Sequence, residues 1–221
     1  MHTNITGLIL AGGRGSRMGH VDKGLQPFRG ATMAAHVMAR LAPQVGAVAI
    51  NANQNLDAYA ALGAPVWPDD LTGFEGPLAG LETGLRRCTT PLMVTAPCDS
   101  PFLPLDLVAR LHAALEAGQA DLALAETEEP DDGGARGVQS QVQAPDQPGV
   151  QPHGQPRIQP HPVFALVRTA ALPHLSSYLA GGGRRMDGWY GAIKVVRVRF
   201  EDAAAFRNIN TLRELQEYEP Q

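Results

Sequence analysis

The feature that most constrains this chain is an alternation in which short apolar runs that read as buried strands are separated by segments of helical period. ITGLILA, residues 5–11, stops at Gly12-Gly13, and VGAVAINAN (45–53) and PLMVTAP (91–97) repeat the strand pattern. Between them, helices are predicted from Ala31 to Leu41, ahead of Pro43, over LDAYAALG (56–63), and over LAGLETGLRR (78–87), where Leu78, Leu81 and Leu85 share one face. APVWPDD (64–70) is expected as a short strand ending in acids, LDLVARLHAALEAG (105–118) as an amphipathic helix closed by glycine, and ADLALA (120–125) as a strand. This order predicts a three-layer α/β sandwich with a mostly parallel sheet covered on both faces. Ligands of such sheets gather beyond the carboxyl ends of the strands. The loop from Gly12 to Lys23, Asn51, Asp69 and Asp99 all fall there.

With 221 residues and 44% hydrophobic content, the chain is expected to form one domain over residues 1–221. The run QSQVQAPDQPGVQPHGQPRIQP (139–160) offers little to bury against its ordering entropy, so about 128–159 is expected to be a disordered insertion. HPVFALV (161–167) then resumes as strand, PHLSSYLAGG (173–182) as helix, IKVVRVRF (193–200) as strand and TLRELQEY (211–218) as a final helix. A net charge of -4 argues against nonspecific nucleic-acid binding, which draws on an excess of Lys and Arg. No window approaches the roughly 18 apolar residues of a membrane span, and the opening MHTNITGLILAGG lacks the pattern of a signal peptide. Cys88 and Cys98 form no CxxC pair and read as buried small side chains. A soluble protein of a reducing cytoplasm is expected.

LILAGGRGSRMGHVDKGL, residues 8–25, carries the chemistry. It is neither a Walker A loop, since Gly24 follows its only lysine, nor a Rossmann fingerprint, since Met18 stands where glycine is required. Gly12, Gly13 and Gly15 nevertheless let backbone amides curl around an anion, and Arg14, Arg17 and Lys23 add charge. That combination suits a triphosphate, with the planar fork of Arg17 bridging oxygens; the bland alternative is a solvated glycine turn. Asp99, after PLMVTAPC, reads as a Mg²⁺ ligand shared with substrate phosphates, or as a cap on the Ser100-Pro101 turn. Asp69 and Asp70 either cap the turn before Gly73 or contact a nucleoside, and Asn51 either meets a base or ribose or forms a turn. The glycines of GPLAGL (76–81) serve close packing or expose amides at a helix start. His161, without a metal-spaced partner, contacts substrate or braces its loop.

From LAGGRGSRMGHVDKGL onward, the sequence resembles the molybdenum cofactor guanylyltransferase family of Rossmann-like nucleotidyltransferases. VAINAN, PDD, GPLAGL, CDSPFLP, HPVFAL, GGGRRM and FRNINT follow in the family's order over nearly the whole chain. The resemblance implies a GTP site at Leu10, Ala11, Gly12, Gly13, Lys23, Asn51, Asp69 and Asp99, with Asp69 favoured over Asp70 and Asp99 as the Mg²⁺ ligand. It implies a pterin side near Arg184, Arg185, Arg207, Asn208 and Asn210. The implied reaction transfers GMP from GTP to the phosphate of the molybdopterin cofactor and releases pyrophosphate, with Lys23, Arg17 and Asp99 carrying catalysis. Cofactor-delivery proteins or apo-molybdoenzymes are the implied partners of a monomer. The alternatives are a cytidylyl- or sugar-phosphate nucleotidyltransferase and a non-catalytic GTP-binding delivery protein. The Gln/Pro run before HPVFAL departs from the family pattern and bears on the pterin side.

Overall fold

The computed structural model describes residues 2–12, 22–70, 76–129, 157–211, 214 and 218. Six strands form one sheet in the order β4-β1-β5-β7-β6-β8: β1 (His2–Leu10), β4 (Val45–Asn51), β5 (Leu92–Pro97), β6 (Leu122–Glu129), β7 (Arg157–Arg168) and β8 (Val195–Phe200). Every neighbouring pair is parallel except those involving β7, which runs antiparallel to both β5 and β6. The sheet is therefore mixed, not simply parallel. The physical reason is visible in the sequence between β6 and β7, which carries no helical pattern, whereas a parallel neighbour needs a crossover.

Both faces of the sheet are covered, as the continuous apolar strands require. On β1, Ile5 and Ile9 point into a core shared with α1 (Met33–Leu41) and α4 (Leu107–Ala117), through Val37, Leu41, Leu107, Leu111 and Leu115. Leu8 and Leu10 point the other way, against Leu78, Leu81 and Leu85 of α3 (Pro77–Arg87). That second core continues under α5 (Leu172–Ala180) and α6 (Met186–Tyr190), where Leu175, Leu179 and Trp189 pack over Leu122, Leu124 and Val167. The alternation along one strand thus builds two cores from a single sheet.

Local details depart from the sequence reading. The segment before α1 is a small hairpin, β2 (Pro27–Phe28) with β3 (Ala31–Thr32), so Ala31 is strand and not helix. Arg29 and Gly30 turn it with φ of 45° and 84°, and the Thr32 hydroxyl accepts from the Ala35 N–H at 3.2 Å to cap α1. Residues 64–70 form no strand of the sheet among the described residues, where Val66 makes a single parallel bridge to Ile50. Glu128, Glu129, Arg157, Ile158 and Gln159 belong to the β6–β7 ladder, which narrows the expected insertion. The remainder of that insertion, and most of the expected helix at 211–218, lie outside the described residues. The short helices α2 (Leu56–Ala60) and α6 complete the fold, α6 having escaped the sequence reading.

Parallel register is what positions the site. Leu10 is paired with Asn51 on one side and with Pro97 on the other, so β4, β1 and β5 end at one level. Their following residues emerge together at the carboxyl edge.

Candidate active site

Beyond β5, the backbone carries Cys98 and Asp99 back across β1, with the Cys98 N–H donating to the Leu10 carbonyl at 3.1 Å. Asp99 is 8% exposed, and Lys23, from the 3-10 turn Lys23–Leu25, meets it with Nζ 3.3 Å from Oδ2. Burial pushes the Asp99 carboxyl above its ordinary value, and the Lys23 ammonium opposes that shift. The two residues are separated by 76 positions in sequence and are brought together only by the parallel arrangement of β1 and β5.

The C-terminal segment completes this cluster. The Ile209 N–H donates to the Asp99 carbonyl at 2.9 Å, Lys23 Nζ donates to Asn210 Oδ1 at 2.7 Å, and the Ser100 hydroxyl donates to Asn208 Oδ1 at 2.5 Å. Glu214 in turn accepts from the Asn210 N–H at 2.6 Å, holding the asparagine backbone. Asn208 and Asn210 therefore stand beside the Lys23–Asp99 pair.

On the β4 side, Asn51 is 2% exposed and its amide donates to the Trp67 carbonyl at 2.9 Å and to Asp69 Oδ1 at 2.8 Å. Asn53 donates to Asp69 Oδ2 at 2.8 Å and accepts from the Asp69 N–H at 2.8 Å. Asp70 turns away, pairing with Arg87 of α3 at 2.5 Å. The Ala11 N–H donates to the Asn51 carbonyl at 2.8 Å, and a β-carbon on Gly12 would press on both Asn51 and Asn53 at 3.2 Å. Leu10, Ala11 and Gly12 thus pass the chain over the asparagines. Gly13, Arg14 and Arg17 lie outside the described residues.

The arginines expected toward the pterin are engaged with other residues of the chain. Arg184 donates to the Leu179 carbonyl at 2.9 Å, and Arg185 forms a two-point contact with Asp187 at 3.0 and 2.7 Å. Arg207 donates to the Tyr218 hydroxyl at 2.9 Å. His161 braces its surroundings: Nε2 is 2.8 Å from the Thr127 hydroxyl, and the ring stacks on Phe206 with centroids 4.6 Å apart. Burial lowers its pKa to about 4, so it is neutral at physiological pH. Asn53 and Tyr59 were not singled out as site residues from sequence. Asn53 was legible as a strand-end polar residue, whereas nothing marked Tyr59 apart from an ordinary helical aromatic.

Among the described residues, no three or more His, Cys, Asp or Glu side chains gather as a metal site. The buried Asp99 carboxylate is a hard oxygen donor of the kind that could hold a divalent cation together with substrate phosphates. Mg²⁺ commonly binds in this way.

A lysine ammonium and a buried carboxylate thus stand at the carboxyl edge of the sheet, between two sets of polar side chains, where ligands of such folds gather. The chain belongs to the MobA-like NTP transferase family, whose profile, described as the MobA-like NTP transferase domain, matches residues 7–193. A molybdenum cofactor guanylyltransferase of Cupriavidus taiwanensis is 52% identical over 216 residues, covering 98% of this chain and 96% of its own. Another from Bordetella pertussis is 49% identical over 214 residues, covering 97% and 96%. The crystal structure of molybdopterin-guanine dinucleotide biosynthesis protein A from Archaeoglobus fulgidus superposes with a TM-score of 0.69 at 19% identity, covering 96% of this chain and 95% of that one. That likeness establishes the fold.

Proposed function

We propose that this protein transfers GMP from GTP to the terminal phosphate of the molybdenum cofactor, releasing pyrophosphate. The observation that carries the reading is the Lys23–Asp99 pair, flanked by Asn51 and Asp69 on the β4 side and by Asn208 and Asn210 on the C-terminal segment. It stands in a chain about half identical, along its whole length, to guanylyltransferases.

In this mechanism the cofactor's phosphate oxygen attacks the α-phosphorus of GTP in line. The new P–O bond forms as the bond to the β-phosphate oxygen breaks and pyrophosphate leaves with the electron pair. An ionised phosphate is already a nucleophile, so no general base or covalent enzyme intermediate is required. Catalysis rests on positioning and charge. Lys23 releases part of its hold on Asp99 to meet the triphosphate and offsets charge on the leaving group. Arg17 and the amides of Gly12 and Gly13 hold the same phosphates, and Asn51 and Asp69 orient the nucleoside. Asn208, Asn210 and the arginines at 184, 185 and 207 receive the pterin. Asp99 would hold a Mg²⁺ ion, which would supply charge neutralisation at the substrate phosphates.

Among the described residues, no helix is long and apolar enough to cross a membrane. Cys88 and Cys98 are unpaired. We propose further that it is a monomer working in the cytoplasm and handing its product to a delivery protein or an apo-molybdoenzyme. The testing experiment measures pyrophosphate release with GTP, CTP and ATP, each against metal-loaded and metal-free pterin and with or without Mg²⁺. Turnover is expected with GTP and Mg²⁺. A preference for CTP would assign the chain to cytidylyl transfer, and GTP binding without turnover would make it a carrier.

A further inference from the structure

We propose that Tyr59 is a positioning residue for Lys23, acting through Asp22. The inference rests on the reading of Lys23 as a ligand of the triphosphate. Asp22 precedes the Lys23–Leu25 turn, yet its carboxylate makes no capping bond to that turn. It is held from α2 instead: Oδ1 accepts from the Tyr59 hydroxyl at 2.5 Å and Oδ2 accepts from the Asn55 amide at 3.0 Å. The Gln26 side chain donates to the Asp22 carbonyl at 3.1 Å, tying down the backbone of the same residue.

The other neighbour of Lys23 is fixed by the same phenol. A β-carbon on Gly24 would overlap the Tyr59 hydroxyl and would stand 3.1 Å from both Cβ and Sγ of Cys98. Asp22 is therefore anchored and Gly24 wedged, and the residue between them reaches Asp99 and Asn210. Without its phenol donor, the Asp22 carboxylate keeps the Asn55 bond on Oδ2, and its released Oδ1 competes with a triphosphate for the adjacent ammonium.

The ring of Tyr59 is fully buried and packs in the core with Ile50 and Val66, a role a phenyl ring fills equally well. The hydroxyl is the part that reaches the site. Burial and the neighbouring acids push the phenol pKa upward, so it remains a donor across the physiological range.

The test uses the full chain and compares Tyr59→Phe, Lys23→Met and the double variant, reading Mg-GTP affinity by calorimetry and kcat/KM by pyrophosphate release. Tyr59→Phe is expected to weaken GTP binding and lower kcat/KM roughly tenfold, a loss of about 1.4 kcal/mol, with the KM for the pterin acceptor unchanged. In the Lys23→Met background, the same change is expected to cost less than about twofold in GTP affinity. Asn55→Gly, which keeps the left-handed backbone at that position (φ 52°), provides a second variant and is expected to cost about threefold. Wild-type behaviour of Tyr59→Phe beside a crippled Lys23→Met overturns this inference alone. Equal losses in both backgrounds reduce Tyr59 to a structural residue and overturn it as well. A Lys23→Met protein that binds and turns over GTP normally overturns the reading of Lys23, and this inference with it.

Discussion

Asn51 lies so close against Gly80 of α3 that a β-carbon at position 80 would overlap its side-chain amide oxygen, while Leu10 Cδ2 stands 2.9 Å from the same point. One bare helical position thus allows a buried asparagine to face Asp69 from the end of β4. Gly80→Ala gains about 1 kcal/mol in helix propensity. It costs about 1–3 kcal/mol in overpacking, so displacement of Asn51 wins. The expected outcome is a lower melting temperature and GTP affinity weakened about tenfold, measured by thermal denaturation and calorimetry. A more stable variant with unchanged GTP binding would show that Asn51 does not depend on this contact.

Asp99→Asn is nearly isosteric and isolates charge from packing. Its expected effect on GMP transfer is a loss of at least about a thousandfold, comparable to removing a group that stabilises transition-state charge. Stability should move in the opposite sense. Because burial raises the folded pKa of Asp99, the ionised form destabilises the native state at neutral pH, and the amide removes that penalty. Asp99→Asn is therefore expected to be at least as stable as wild type at pH 7. The advantage should vanish as pH falls through the raised pKa and wild type becomes neutral there too. Chemical denaturation across pH checks the sign.

His161 gives the reverse dependence. Its folded pKa of about 4 lies below the ordinary 6.5, so the unfolded chain binds the proton first as pH falls. The stability it contributes is complete above about pH 6.5 and drains away toward pH 4. Discounted for the ring's partial exposure, the expected loss between pH 7.5 and pH 5 is about 1 kcal/mol. Urea melts at the two values should show wild type losing that much more than His161→Gln, which keeps a polar side chain for Thr127 but has no titrating ring.

Glu129 and Arg157 stand opposite each other in the β6–β7 ladder. Joining them through an Asn-Gly turn closes a two-residue hairpin without residues 130–156. That shortened chain is expected to fold and to bind GTP with unchanged affinity, since the Lys23–Asp99 and Asn51–Asp69 contacts involve no residue of β6 or β7. Loss of GTP binding would tie the insertion to the nucleotide side.

The parts legible in sequence were those whose signal is local. Apolar runs and helical spacing marked all six strands of the sheet and the larger helices, and strand ends pointed to Lys23, Asn51, Asp69 and Asp99. The antiparallel course of β7 was hidden because a strand's direction depends on its partner, not on its own residues. The hairpin at Arg29-Gly30 was hidden because its strands are only two residues long. Tyr59 was invisible for a further reason: its hydroxyl acquires meaning only when folding brings α2 against Asp22, 37 positions away.

The most direct test of the account follows the α-phosphate. Wild-type protein with Mg²⁺, the molybdenum cofactor and GTP labelled at the α-phosphorus should place the label in a pterin guanine dinucleotide, with one pyrophosphate released per label transferred. Lys23→Met and Asp99→Asn should transfer almost none. Label that stays in GTP or appears only as free GMP, or transfer undiminished in both variants, would contradict a guanylyl-transfer site built on Lys23 and Asp99.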